Sequence, residues 1–329
     1  MRILITGGAG FLGQRLAQYL LADPALEQLV LTDIVLPVVP GDVDAQADGA
    51  DERVKVCQAD ITDAAAVRAL ITPDLTAVFH LAAVVSGQAE ADFDLGVRVN
   101  CDGTRYLLEA VRHWAPGAKF IFASSLAVFG GDLPALITPQ TAVTPQSSYG
   151  TQKAVCELWV NDYSRKGFLD GRVLRLPTVC VRPGKPNAAA SSFASSIIRE
   201  PVHGEAAVCP VDISLGLWLS SPGVVTANLA HGLALPAEAF GSTRTLNLPG
   251  ITVTVRAMID ALGEVVGEAA QELIEYAPDD AISRIVASWP SRFDVESAIA
   301  LGFSRDESFA SIIEAFVAES TGTKGNEFS

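Results

Sequence analysis

The chain opens MRILITGGAGFLG, and no other stretch restricts its fold as much. A short apolar run, Arg2–Thr6, meets a cluster of glycines, and an amphipathic segment, Phe11–Ala22, follows at once. Gly7, Gly10 and Gly13 stand at GxxGxxG spacing, with Phe11 and Leu12 between the last two. A backbone without side chains can turn sharply from strand to helix and let a pyrophosphate come close. The first N–H groups of the helix have no partners within it, and its dipole is positive at that end, so the turn suits a dinucleotide. A glycine cluster alone is an ordinary turn; the strand before it and the helix after it make this one a nucleotide site.

The same strand-then-helix rhythm continues. Leu29–Asp33, Val54–Ala59, Ala77–Ala82, Lys119–Ser124 and Arg172–Leu176 read as further strands, and Asp63–Ile71, Val97–Trp114 and Tyr149–Lys166 as helices. Strands alternating with helices predict an α/β fold with a Rossmann-type, doubly wound parallel sheet. Past Arg182 the pattern becomes punctuated by proline and glycine, with helices expected at Ala190–Arg199, Val224–Ala234, Val255–Gly263 and Phe309–Glu319, and a short one at Asp294–Leu301 stopped by Gly302. We therefore expect an NAD-binding domain at 1–175 and a smaller C-terminal α/β lobe at 176–329, mainly for substrate and free to interleave with the first. Pro37–Arg53 and Thr321–Ser329 lack periodicity and read as mobile.

Asp33 ends the second strand, twenty residues after Gly13. A carboxylate there accepts from a ribose diol and repels a 2′-phosphate, which selects NAD over NADP, and the next arginine, Arg53, is too far along to reverse that. Asp60 is placed for the adenine amino group with Ile61 beside the ring, or as an N-cap. Leu81, Ala82 and Ala83 suit backbone contact with the cofactor, or packing. Cys57, Cys101, Cys156, Cys180 and Cys209 are scattered without metal-ligand spacing, so we expect buried thiols, a reducing compartment and no metal.

Tyr149 and Lys153 in SSYGTQKA are four apart and share a helix face. An ammonium beside a phenol stabilises the phenolate, which makes the pair a proton shuttle. Ser125, after the fifth strand in FIFASSLAVFG, would hold a substrate oxygen while hydride moves to or from carbon. Ser124 is its rival for that role.

Together, TGGAGFLG, HLAA, SSLAVFG, YGTQK and RLPTVCVRPG resemble the extended short-chain dehydrogenase/reductase family, in order over the first 185 residues. The resemblance implies Ser125, Tyr149 and Lys153 as the catalytic trio, Asn100 as a supporting residue on the cofactor side, and Pro177 and Thr178 beside the nicotinamide. It also implies a homodimer through Val97–Trp114 and Tyr149–Lys166. Sugar-nucleotide dehydratases of that family carry Asp-Glu after the catalytic hydroxyl, where Leu126 and Ala127 stand here, which counts against dehydration.

The substrate is narrowed by charge. The chain carries a formal net charge of −15, which excludes a general nucleic-acid surface. Yet from Gly171 to Arg199 there is no Asp or Glu, while Arg172, Arg175, Arg182, Lys185 and Arg199 are all present. Arg172 and Arg175 belong to the sixth strand, leaving Arg182, Lys185 and Arg199 to meet an anionic group. Asn187, Ser191, Ser192 and Ser86 add short polar groups suited to hydroxyls. The expected substrate is a small sugar acid oxidised by NAD, with another aldonate or uronate, a nucleotide-sugar 4-epimerase reaction, or a non-catalytic NAD sensor as alternatives. No segment reaches ~18 uninterrupted apolar residues and no leader pattern precedes the glycine turn, so the expectation is a cytoplasmic protein without membrane contact.

Overall fold

The structure is a computed structural model that describes residues 1–40, 51–184 and 189–324. Its strands are β1 (Arg2–Thr6), β2 (Gln28–Asp33), β3 (Val54–Gln58), β4 (Ala77–His80), β5 (Lys119–Ser125), β6 (Asp170–Leu176), β7 (Thr178–Val179), β8 (Ala207–Cys209), β9 (Gly216–Ser220), β10 (Thr245–Asn247), β11 (Ile251–Thr254) and β12 (Ile274–Tyr276). The chain divides into two compact units. One comprises Met1–Val128, Ser147–Leu176 and Thr226–Leu248; the other comprises Phe129–Gln146, Pro177–Val225 and Pro249–Ser329.

The first unit is built on a seven-stranded parallel sheet in the order β10-β6-β5-β4-β1-β2-β3. Its central strands have apolar middles, as a sheet covered on both faces requires: Ile3, Leu4 and Ile5 of β1 and Phe120, Ile121 and Phe122 of β5 are fully buried. The order reverses between β1 and β4. Connections leave in opposite directions there, and the ends of the two strands open a crevice. Leu4, Val78, Phe120 and Val173 of the sheet pack with Leu107, Leu108 and Val111 of helix Thr104–Trp114 and with Cys156 and Val160 of helix Ser148–Arg165.

The second unit has its own core of Phe193, Ile197, Leu219, Met258, Leu262 and Ile313. It carries a three-stranded sheet, β11-β9-β7, and a two-stranded one, β12-β8. Helix Glu296–Ala300 ends as expected, with Gly302 at φ +92° and the Phe303 N–H returning to the Ala298 oxygen.

Several boundaries differ from expectation. The fourth strand stops at His80, two residues early, the Leu81 N–H to Thr6 carbonyl bond being its last rung against β1. The sixth begins at Asp170. The long helix expected over Val97–Trp114 is π-helical at Val97–Gly103 before it becomes regular at Thr104. β10, a seventh strand drawn from late in the chain, pairs with β6 through Thr245–Asn247. Asp51–Arg53, read as mobile, is anchored: Arg53 pairs with Asp51 and donates to the Leu21 carbonyl at 2.9 Å. The neighbouring positions 41–50 lie outside the described residues. In the second unit, helix Phe309–Lys324 runs past Thr321, where fraying was expected.

Candidate active site

Strand β1 delivers the chain into the glycine turn at Gly7, whose φ is +76°. A Cβ on Gly7 would stand 2.7 Å from Ala82 N, and one on Gly13 would collide with the Gly7 carbonyl oxygen. Gly8, which the GxxGxxG spacing passes over, is just as constrained: a Cβ there would lie 2.9 Å from Leu31 Cβ, and its N–H donates to the Thr32 carbonyl. Helix Phe11–Leu21 begins with Gly10 as N-cap and no side-chain cap. The arrangement leaves the helix entrance without a side-chain cap, which fits the cradle a pyrophosphate needs.

Asp33 is at the end of β2, its Oδ2 accepting from Ala9 N–H at 3.1 Å and its Oδ1 from Ile34 N–H at 2.7 Å. The carboxylate is thus fixed against the glycine turn. Gln14 reinforces this, its Nε2 donating to the Gly8 carbonyl at 2.5 Å and the Val38 carbonyl at 3.1 Å. Asp60 is exposed and accepts from Thr62 N–H, while the N-cap of the next helix is Asp63, which accepts from Ala65 and Ala66. Ile61 turns inward, close enough to Gly103 that a Cβ there would meet its Cδ1 at 2.8 Å. Leu81, Ala82 and Ala83 follow β4 half-buried, Ala82 N–H reaching Thr6 Oγ1 at 3.4 Å.

His80 was not singled out by its motif, yet it organises this crevice. Thr104 gives its proton to the Asn100 carbonyl at 2.5 Å, so His80 Nε2 donates to Thr104 Oγ1 at 2.8 Å. Nδ1 therefore accepts, and Thr6 donates to it at 2.7 Å. Complete burial, with the charge of Lys153 as a lesser cause, lowers the imidazole pKa to about 3, so the ring is neutral.

Helix Ser148–Arg165 starts where Ser147 accepts from Gly150 N–H, which places Tyr149 half-buried in its first turn. Lys153, one turn on, is buried, with Nζ 5.7 Å from the Tyr149 ring centre and donating to the Ala123 carbonyl at 2.8 Å. Burial lowers the ammonium to about 8, opposed by Cys156, Glu157 and Cys101. Ser125 ends β5 half-buried; its Oγ accepts from Ala127 N–H at 3.1 Å, which leaves its proton for a substrate oxygen. Ser124 faces the other way and donates to Glu157 Oε1 at 2.5 Å. Leu126 and Ala127 are buried, so no acid or base follows Ser125. Asn100 Oδ1 accepts from Val84 N–H, and its Nδ2 donates to the Val84 carbonyl and to Gln152 Oε1. The side chain joins the π-helical segment to the loop after β4 and to the helix of the Tyr–Lys pair. Ser86 opens helix Ser86–Ala91 and is buried.

The remaining candidates belong to the second unit. Pro177 is buried, and Thr178 pairs with Leu219 in β7. Arg182 N–H donates to Ser195 Oγ at 3.0 Å. Arg199 is buried and donates to the Arg182 carbonyl, Ser196 Oγ and Glu200 Oε1, bracing the main chain at Arg182. Ser191 is the N-cap of helix Ser192–Val202 without a side-chain cap bond, and Ser192 is buried. Lys185 and Asn187 lie outside the described residues. Arg172 and Arg175 are structural, paired with Asp170 and Glu157. Trp218 is core, its ring centre 5.0 Å from that of Phe293.

The pattern of the NAD dependent epimerase/dehydratase family matches residues 3–216, from β1 to β9. The chain belongs to this family. Like other NAD dependent epimerase/dehydratase family members, it is an NAD-using enzyme, and the glycine cradle and Asp33 fit that cofactor. It is 53% identical to the D-erythronate dehydrogenase of Haemophilus influenzae, over 96% of this chain and 99% of that one. The D-erythronate dehydrogenase of Cupriavidus necator is 50% identical over 97% and 98%. Among solved structures, a nucleoside-diphosphate-sugar epimerase from Agrobacterium tumefaciens superposes with a TM-score of 0.89 at 42% identity, covering 98% of this chain and 95% of that one.

Proposed function

We propose that the protein oxidises the 2-hydroxyl of D-erythronate to 2-oxo-tetronate with NAD. What carries this reading is identity above 50% to a D-erythronate dehydrogenase over almost the whole of both chains, which spans the residues of both units. When bound, NAD supplies the hydride acceptor. Gly7, Gly10, Phe11, Leu12 and Gly13 hold its pyrophosphate through backbone, Asp33 its adenosine ribose, and Asp60, Ile61, Leu81, Ala82, Ala83, Asn100, Pro177 and Thr178 complete its surroundings. Ser125 donates a hydrogen bond to the reacting oxygen. Tyr149 takes the hydroxyl proton, and Lys153 stabilises the resulting phenolate. Arg182, braced by Arg199, holds the unreactive carboxylate. Ser86, Asn187, Ser191 and Ser192 meet the hydroxyls. The protein works as a cytoplasmic homodimer on a small sugar acid.

The test is NADH formation over C4 to C6 aldonates and uronates. D-Erythronate should turn over fastest, and Tyr149→Phe should lower kcat by roughly 10²- to 10⁴-fold. The likeness to the Agrobacterium tumefaciens epimerase favours a second reading, nucleotide-sugar 4-epimerisation. Turnover of a UDP-sugar with no acid oxidised would replace the first reading by the second, and binding of NAD with no turnover of either would point to a sensor.

A further inference from the structure

Beneath the Tyr149–Lys153 pair lies a buried polar cluster that the mechanism above does not use. Glu157 is on the same helix, one turn beyond Lys153, and is 3% exposed. Arg175 of β6 grips it with two bonds, Nε to Oε1 at 2.8 Å and Nη2 to Oε2 at 2.6 Å. Ser124 of β5 donates to the same Oε1. Arg175 in turn reaches Asn247 Oδ1 of β10. Three strands of the sheet are thus tied to the helix of the Tyr–Lys pair through one carboxylate.

The position of Ser124 gives the cluster its meaning. Ala123, before it, offers the carbonyl that receives Lys153 Nζ, and Ser125, after it, offers the hydroxyl placed for substrate. Fixing Ser124 fixes both neighbours, because alternate residues of a strand face opposite sides and a shift of one moves the others.

Charge adds a second effect. Lys153 is a buried ammonium whose direct bond is to a neutral carbonyl. Around it stand Tyr149, Cys156 and Glu157 on its own helix, Cys101 on the π-helical segment, His80 on β4 and Arg175 on β6. His80 is neutral. The Cys156 thiol, hydrogen-bonded to Cys101 and buried, is held far above its ordinary range and is neutral too. The same hydrogen bond holds the Cys101 thiol below its ordinary range, and Cys101 is the last of the three groups that favour the Lys153 ammonium, after Cys156 and Glu157. Glu157, one turn along the same helix and held by Arg175, is the carboxylate among the groups that favour the ammonium in a place where burial disfavours it.

We propose that Glu157 is a positioning residue for the hydride-transfer reaction: through Ser124 it holds the strand end bearing Ala123 and Ser125, and its charge sets the pH range over which the Tyr149–Lys153 pair works. The inference rests on the assignment of Tyr149 and Lys153 as the proton-handling pair.

Glu157→Gln keeps the shape and removes the charge. Losing a neighbouring anion makes the Lys153 ammonium easier to deprotonate and a Tyr149 phenolate easier to form. Both limbs of the pH profile of kcat/KM should therefore move to lower pH, by on the order of one unit, while KM for NAD holds. Ser124→Ala leaves the Glu157–Arg175 pair intact; it should lower kcat severalfold with both limbs unmoved, and it carries the test by itself if Glu157→Gln fails to fold. Tyr149→Phe runs in parallel. If it is inactive while Glu157→Gln keeps the parental profile, or Ser124→Ala the parental kcat, the role of Glu157 is overturned and the pair stands. If Tyr149→Phe turns over normally, the assignment of the pair falls and this inference with it.

Discussion

A proton placed on His80 would break a hydrogen bond, because Nδ1 accepts from Thr6 and Nε2 already donates to Thr104. Its pKa of about 3 in the folded protein lies below the ordinary 6.5, so the unfolded chain takes the proton first. The ring's contribution is complete above 6.5 and is lost as pH falls from there toward 3. By roughly pH 5 that loss amounts to about 2 kcal/mol. Urea unfolding at neutral and mildly acid pH should show it, and His80→Gln should flatten the slope. An unchanged slope in the variant would remove His80 from the account. The effect reaches the site, since Thr6 also receives Ala82 N–H and Thr104 binds the Asn100 carbonyl.

At the scale of elements, the turn from β1 into the first helix is the least tolerant join. Adding a methyl at Gly13 presses on the Gly7 carbonyl, a main-chain atom with no side-chain freedom to yield. Gly13→Ala should weaken NADH binding tenfold or more, as followed by nicotinamide fluorescence, and wild-type affinity in that variant would refute the cradle. This turn and six of the sheet's seven strands were legible because each is set by neighbours in sequence: an apolar run, a glycine, a helical period. The Tyr149–Lys153 spacing was legible for the same reason. β10 was not, since three residues carry no period and their strand exists only because β6 offers an edge. Nor was the π-helical segment, which is held by Asn100 on Val84 and Gln152 and by Ile61 against Gly103. Gln14, His80 and Glu157 act through partners distant in the chain, and nothing adjacent to them announces it. The acid-free stretch was legible in part: Arg172 and Arg175, read as belonging to the sixth strand, pair with Asp170 and Glu157, but Arg199, read as free to meet an anionic group, is paired with Glu200 just past the stretch.

For the molecule as a whole, the proposed dimer makes a direct demand on surface residues. Leu158 lies on helix Ser148–Arg165 and is 65% exposed, an apolar side chain that association would cover. Light scattering should give the mass of two chains, and Leu158→Glu should give one; a monomeric parent protein would end the dimer proposal. No helix among the described residues is long and apolar enough to cross a membrane, so that surface is not explained by insertion of a spanning helix.

The late arrival of β10 bears on how the protein is made. Arg172 on β6 has its guanidinium bonded to the Gly232 and Leu233 carbonyls, Lys119 also reaches Leu233, and Arg244 caps the Gly171 carbonyl. When the ribosome has finished Leu176, six of the seven strands exist but none of these partners do. The outer edge of β6 then stays open until residues 232–247 emerge, an interval of several seconds at ordinary rates of about 5–20 residues per second. During that time a nascent chain presents a strand open along one edge, beside an arginine that has Asp170 but lacks its two carbonyl partners, the kind of edge on which chains aggregate. Chaperone dependence during synthesis is the expected cost of closing a nucleotide-binding sheet with a strand encoded so far downstream.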